Sequence, residues 1–191
     1  MAGLSRPLVT KILSCDGAHK SDFGGVRLNL DTAADIRAAL EEIGDAAAHA
    51  GIATNGFLVE EQSSPGVEMV LGGLWDPRFG PCVMVGLGGV FVEVFEDVAF
   101  RTCPISTDDA RDMIRSLRAA PLLRGARGAP PCDEEAVIAA LVALGGTGGL
   151  MEALDGQATE IDINPLIVRP EGATAVDARI ILRPEASHTP P

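Results

Sequence analysis

Around Phe57 to Phe100 the chain repeats one figure: the runs GFLVEEQ, VEMVLGGLW, PCVMVGLGG, VFVEVF and DVAFRTC are apolar, short and separated by turns rich in Pro and Gly. Runs of that length, with punctuation that close, leave no room for crossover helices, so consecutive strands must turn back on one another. A mostly antiparallel sheet is therefore the expected centre of the fold. The other elements have to be arranged around it.

Upstream, PLVTKIL (7–13) reads as a strand, SCDGAHKSDFGG as a loop and VRLNL (26–30) as a second strand. Asp31 is a plausible N-cap for a helix in which Ile36, Leu40, Ile43 and Ala47 recur at helical spacing. Downstream, Ser106 or Thr107 is expected to cap a helix through DDARDMIRSL, and DEEAVIAALVAL, acidic in its first turn, predicts another starting near 133. The segment AAPLLRGARGAPPC between them reads as a mobile connection, and 184–191 as a disordered tail. These readings give an α/β (α+β) fold, a mixed and mostly antiparallel sheet with flanking helices, divided as 1–55, 56–183 and the tail.

Composition excludes several function classes. Fifteen Lys and Arg against 27 Asp and Glu disfavour nonspecific nucleic-acid binding or an anionic membrane surface. Tyr is absent and aromatics make up 4%, too few for a base-stacking platform. Cys15, Cys82, Cys103 and Cys132 form no C-x-x-C pair, so small core thiols in a reducing compartment are expected rather than a zinc site or disulfides. Nothing resembles a signal peptide and no apolar run approaches membrane-spanning length, which makes a cytoplasmic location the expectation.

The chemistry concentrates in EIDINPLIVRPEGATAVDARIIL (160–182). Alternation puts Glu160, Asp162 and Asn164 on one side of a strand, and the Pro170-Glu171-Gly172 turn returns the chain so that Asp177 comes beside Asn164 or Asp162. Hard oxygens from carboxylate and carboxamide, without His or Cys, suit Mg²⁺ with water and phosphate completing its shell. A solvated acidic hairpin face explains the same spacing equally well. His19, Lys20, Ser21 and Asp22 precede Gly24-Gly25, a turn that could present backbone N–H groups to an anion or simply join two strands. Lys11, alone in an apolar strand, needs either an escape to water or an anionic partner. Gly86, Gly88 and Gly89 sit between strands and read as a sheet turn, not a dinucleotide fingerprint.

Taken in order, Lys11, HKSDFGGV, FLVEEQ, GVEMVLGG, DPRFGP, VGLGGVFVEV, DVAFR, EIDINPLIV and AVDARI resemble the ATP-grasp domain of the NDP-forming acyl-CoA synthetases, which include ADP-forming acetate-CoA ligases and are related to the succinyl-CoA synthetase β subunit. The resemblance runs from about Leu8 to Leu182. It implies an ATP-grasp-like fold and the reaction of carboxylate, CoA and ATP to acyl-CoA, ADP and phosphate through a phosphohistidine. It further implies that Lys11 contacts nucleotide phosphates, that the loop with Gly24 and Gly25 lies over them, and that His19 carries phosphate. Glu60 and Glu61 then fall in the strand that holds adenine by its backbone. Glu68 resembles the ribose-binding acid, and Arg101 lies in a nucleotide-binding motif. Asn164 and Asp177 fall where the family binds Mg²⁺, with Glu160 or Asp162 supporting the metal or the phosphohistidine.

The resemblance also carries departures. Only MAGLSRP precedes the strand of Lys11, so the N-terminal lobe is expected to be short, and a separate subunit is expected to bring the CoA-binding and principal phosphohistidine parts. Apolar surface left by a short lobe would favour self-association. Two other readings remain: a non-catalytic module that binds a partner or nucleotide, and a carboxylate–amine ligase, which needs no phosphohistidine.

Overall fold

The computed structural model describes residues 3–14, 20–88, 96–125 and 128–183. The chain forms two compact units, 1–64 and 65–191. The boundary falls beyond the composition change at 55, because the strand after it pairs with the first strand of the chain.

In the first unit, β1 (Leu8–Leu13) lies between β2 (Val26–Leu30) and β3 (Gly56–Glu61), antiparallel to both. Helix α1 (Ala33–His49) covers one face of this sheet. Its cap is Thr32 rather than Asp31: the Thr32 hydroxyl accepts from the Asp35 amide while the Asp35 carboxylate takes the Thr32 amide. Only Thr32 has an acid three residues on, and that reciprocal pair decides the start. Leu8 and Leu30 pack against Ile36 and Ala39, and Ile12 packs against Ile43 and Ala47. Thr10 stands between these two clusters on β1, fully buried.

The second unit is built on the sheet β6–β5–β4–β7–β8, with β4 at Val67–Asp76, β5 at Gly80–Leu87, β6 at Val98–Thr102, β7 at Ala158–Val168 and β8 at Ala173–Ala175. Strand β9 (Ala178–Leu182) pairs with the first half of β7. Every strand pairing among the described residues is antiparallel, as the turn spacing predicts. One face carries Met69, Leu71, Val83, Val85 and Ile161 against helices α2 (Thr107–Ser116) and α4 (Glu134–Gly145). Between those helices the expected mobile connection contains a single helical turn, α3 (Ala120–Leu123), anchored by buried Ala120 and Leu123.

The stretch Glu134–Ala153 meets the length and composition of a membrane-crossing helix, contrary to the sequence reading. The stretch Gly146-Thr147-Gly148-Gly149 divides it into α4 and α5 (Leu150–Ala153), and Val137, Ile138, Leu141 and Leu144 are core residues against the sheet. The run VFVEVF lies outside the described residues except for its neighbour Glu96, and so does the tail beyond Arg183.

Strand β7 is irregular against β9 between Ala158 and Glu160 and changes phase against β4 at Asn164-Pro165. Ile161 is buried and Ile163 packs on the core, yet beyond Asn164-Pro165 the buried residues are Leu166 and Val168. The register against β4 slips at the same place, with Ile163 opposite Leu71 but Leu166 opposite Met69. One extra residue is accommodated as a bulge, which inverts the faces of everything downstream.

Candidate functional site

The bulged strand and its return form the hairpin the sequence predicts. Val168 faces Ala173 and Ile163 faces Ala178, which sets Asn164 against Asp177. The Asn164 amide donates to the Asp177 carbonyl at 3.1 Å, and the Val176 amide donates to the Pro165 carbonyl at 3.0 Å. At the far end the turn is tied to α4: Asp133, the N-cap of that helix, also accepts from the Gly172 amide at 3.1 Å. A helix cap thus fixes the hairpin that presents Asn164 and Asp177.

Glu160 and Asp162 lie on the sheet face opposite the helices, alternating with the inward Ile161 and Ile163. Across β4, Asp162 faces Gly72, over which the Met84 side chain of β5 lies. Across β9 it faces Arg179, whose Nη2 lies 2.9 Å from Oε1 of Glu160. Sequence reasoning passed over Arg179 and Gly72. The signal for Arg179 was available, since the turn that places Asp177 opposite Asn164 also places Arg179 opposite Asp162. Gly72 reveals itself only once β4 is registered against β7.

Glu68 extends the open face on β4, exposed and opposite Ile167. Arg101 does not join this group. It pairs with Val83, a core residue, and so faces the helical side, where its guanidinium lies 3.9 Å from Asp109 in the capping box of α2.

In the first unit Lys11 is 5% exposed and its Nζ lies 2.8 Å from Oε2 of Glu60. Both side chains are on the sheet face opposite α1, since Leu8 and Ile12 occupy the other. Glu61 points the other way and accepts from the Ser5 amide at 2.8 Å. Gly24 has φ +79, open to glycine, and its amide donates to Ser21 while that of Gly25 donates to Lys20. A Cβ on Gly25 would come within 2.9 Å of Ile12, so this turn is packed tightly on β1. His19 lies outside the described residues.

The described cysteines offer no nucleophile. Cys103 lines a recess of about 170 Å³ with Pro81, Pro104, Gly146, Met151, Glu152 and Asp155, and burial pushes its thiol up to about 11. Burial also raises Cys82 and Cys132.

The donor set on the hairpin fits a hard cation only in part. Among the described residues no three His, Cys, Asp or Glu side chains cluster to hold a metal. A carboxylate and a carboxamide at one hairpin position instead suit an ion that takes most of its shell from water and phosphate, as Mg²⁺ does.

A family model described as an ATP-grasp domain matches residues 1–182. The chain belongs to the ATP-grasp family. Within it, this ATP-grasp chain is 41% identical over 178 residues to the acetate–CoA ligase [ADP-forming] I subunit beta of Pyrococcus furiosus, a match that spans 92% of the chain and 75% of the relative. The name of that relative implies a separate partner subunit. Among solved structures, the dinucleotide forming acetyl-coenzyme A synthetase 1 of Ca. Korarchaeum cryptofilum, in complex with coenzyme A and Ca-AMPCP, superposes with a TM-score of 0.86 at 45% identity, covering 94% of this chain and 78% of that one. The same enzyme with coenzyme A and Mg-AMPPCP gives 0.76 at 45% identity, over 93% of this chain and 77% of the other. The fold and the relationship to ADP-forming acid–thiol ligases expected from the motifs are thereby established.

Proposed function

We propose that this ATP-grasp chain is the nucleotide-binding, phosphoryl-transferring subunit of an ADP-forming acyl-CoA synthetase, working with a separate subunit that binds CoA and carries the principal phosphohistidine. The observation that carries the reading is the hairpin that sets Asn164 against Asp177 beside the Glu160 and Asp162 row, in a chain 41% identical to a ligase β subunit. Asn164 and Asp177 would hold Mg²⁺, which when bound neutralises nucleotide phosphate charge.

The protein's own groups then have separate tasks. Lys11 meets phosphate oxygens as a positioned cation. Glu68 takes the ribose, the backbone around Glu60 and Glu61 meets the base, and Gly24 and Gly25 let the preceding loop lie over phosphate. His19 accepts the terminal phosphoryl group: its ring nitrogen forms the new bond to phosphorus as the bond to the ADP oxygen breaks. Glu160 or Asp162 takes the proton-bearing ring nitrogen of that histidine or supports the metal. Arg101, on the helical face, would reach nucleotide only through a different arrangement of β6.

Calorimetric titration of the chain with ADP, with Mg²⁺ and again with excess chelator, tests the reading. Saturable binding that needs Mg²⁺ is expected. Absence of heat under both conditions would sink it.

A further inference from the structure

Lys11 is one of only two lysines in the chain, the other being Lys20, and it is nearly fully buried. An ammonium withdrawn from water is costly unless a counter-charge and hydrogen bonds replace the water. Glu60 supplies that charge at 2.8 Å, although its own side chain is 39% exposed. The two residues are not directly opposite: Lys11 faces Leu58 and Glu60 faces Val9. They are diagonal neighbours on one face, a separation that long side chains bridge.

The carboxylate is held where it can do this. The residue before it in the pairing, Val59, packs with the cluster under α1, and the residues after it are tied down one by one. Glu61 accepts from the Ser5 amide. The Gln62 amide donates to the Pro7 carbonyl at 3.0 Å, while its side chain accepts from the Asn29 amide at 2.6 Å and donates to Asn29 Oδ1 at 3.1 Å. Gln62 therefore reaches past the end of β1 to β2, gripping Asn29, whose φ is +60. The backbone at the end of β3 is thereby anchored on the side following Glu60.

We propose that Glu60 acts through its side chain as a positioning residue, holding the Lys11 ammonium aimed along the sheet face opposite α1 in readiness for an anionic phosphate. An ammonium has three donors, so its ion pair with Glu60 does not by itself exhaust them. The ion pair stands on the geometry of the first unit; its service to phosphate rests on the proposed nucleotide site.

The two-lysine sequence gives a direct test. Trace acetylation of the folded chain, read by mass spectrometry as the ratio of Lys11 to Lys20 labelling, is compared for the wild type, Glu60→Gln and Glu60→Asp. Glu60→Gln is expected to raise the ratio by roughly 1.5- to fivefold, the range for a partly exposed ion pair, and Glu60→Asp to return it toward the wild type. A ratio unchanged in Glu60→Gln, in a variant whose thermal unfolding shows it folded, overturns the proposal. With Mg-ADP, Glu60→Gln is expected to weaken binding by roughly the same factor while leaving adenosine binding alone. Equal or tighter Mg-ADP binding in that variant overturns the phosphate role. Failure of the wild type to bind Mg-ADP counts against the nucleotide site instead, and the labelling ratio still decides the ion pair.

Discussion

Asn164 and Asp177 are joined through their backbones, amide to carbonyl at 3.1 Å, a bond that does not involve either side chain. Replacement of Asp177 by Ala should therefore leave the hairpin intact and remove the charge. The expected outcome is loss of Mg²⁺-dependent ADP binding in calorimetry with an unfolding midpoint within a few degrees of the wild type. A large fall in the midpoint would mean that the carboxylate is structural.

Thr10 offers the opposite case. Its hydroxyl is fully buried, with no hydrogen-bond partner among the described residues, between the cluster of Leu8 and that of Ile12. Thr10→Val keeps the β-branched shape, removes an unsatisfied polar atom and lets the two clusters meet. Denaturant unfolding should show a gain of about 1 kcal/mol.

Two helical glycines should respond in opposite directions to the same change. At Gly44 in α1 the nearest atom to a new Cβ is Phe57 Cζ at 3.9 Å, ordinary contact, so Gly44→Ala should gain about 0.5–1 kcal/mol from helix propensity and the stiffer unfolded chain. At Gly145, the last residue of α4, a Cβ would collide with Val83 Cγ1 and lie 3.1 Å from Cys103 Sγ. Gly145→Ala should destabilise despite the same propensity gain, by about 1–3 kcal/mol on the scale of overpacked cores. Chemical denaturation of the pair checks both signs.

Acid should loosen the helix starts before the sheets. Hydrogen bonds from Thr32 and Ser106 hold Asp35 and Asp109 below the usual carboxylate range. A carboxyl depressed in the folded state contributes stability above its unfolded value and loses it as pH falls through the folded one. Stability should thus decline below about pH 4, the ordinary aspartate range. Asp35→Asn and Asp109→Asn should flatten that decline in thermal unfolding measured against pH. An unaltered acid limb in the double variant would assign it to other carboxylates.

Much of the architecture was legible because local pattern and tertiary environment agree. The runs VEMVLGGLW, PCVMVGLGG and DVAFRTC pair antiparallel in one sheet as their spacing predicts, whereas GFLVEEQ pairs with the first strand of the chain instead; the Pro170-Glu171-Gly172 turn fixed the pairing of Asn164 with Asp177. The start of α1 was misplaced by one residue because Asp31 and Thr32 are both good caps and only the acid at 35 separates them. The turn Ala120–Leu123 was hidden because one helical turn leaves no periodicity to read. Contacts such as Lys11 with Glu60 were out of reach for a different reason. They depend on which residue of β3 faces which residue of β1, and no turn connects those strands.

The phase change in β7 has a consequence for anyone aligning or redesigning this strand. From Glu160 onward its residues behave as two short strands whose buried positions are out of phase, sharing a single ladder with β4 and spliced at Asn164-Pro165. Regular alternation carried through the splice with its extra residue kept would turn Leu166 and Val168 out to water, whereas deleting that residue would keep them on the core face and remove the bulge. The apparent irregularity is what allows one continuous strand to offer polar groups at one end and bury its other end beneath α4.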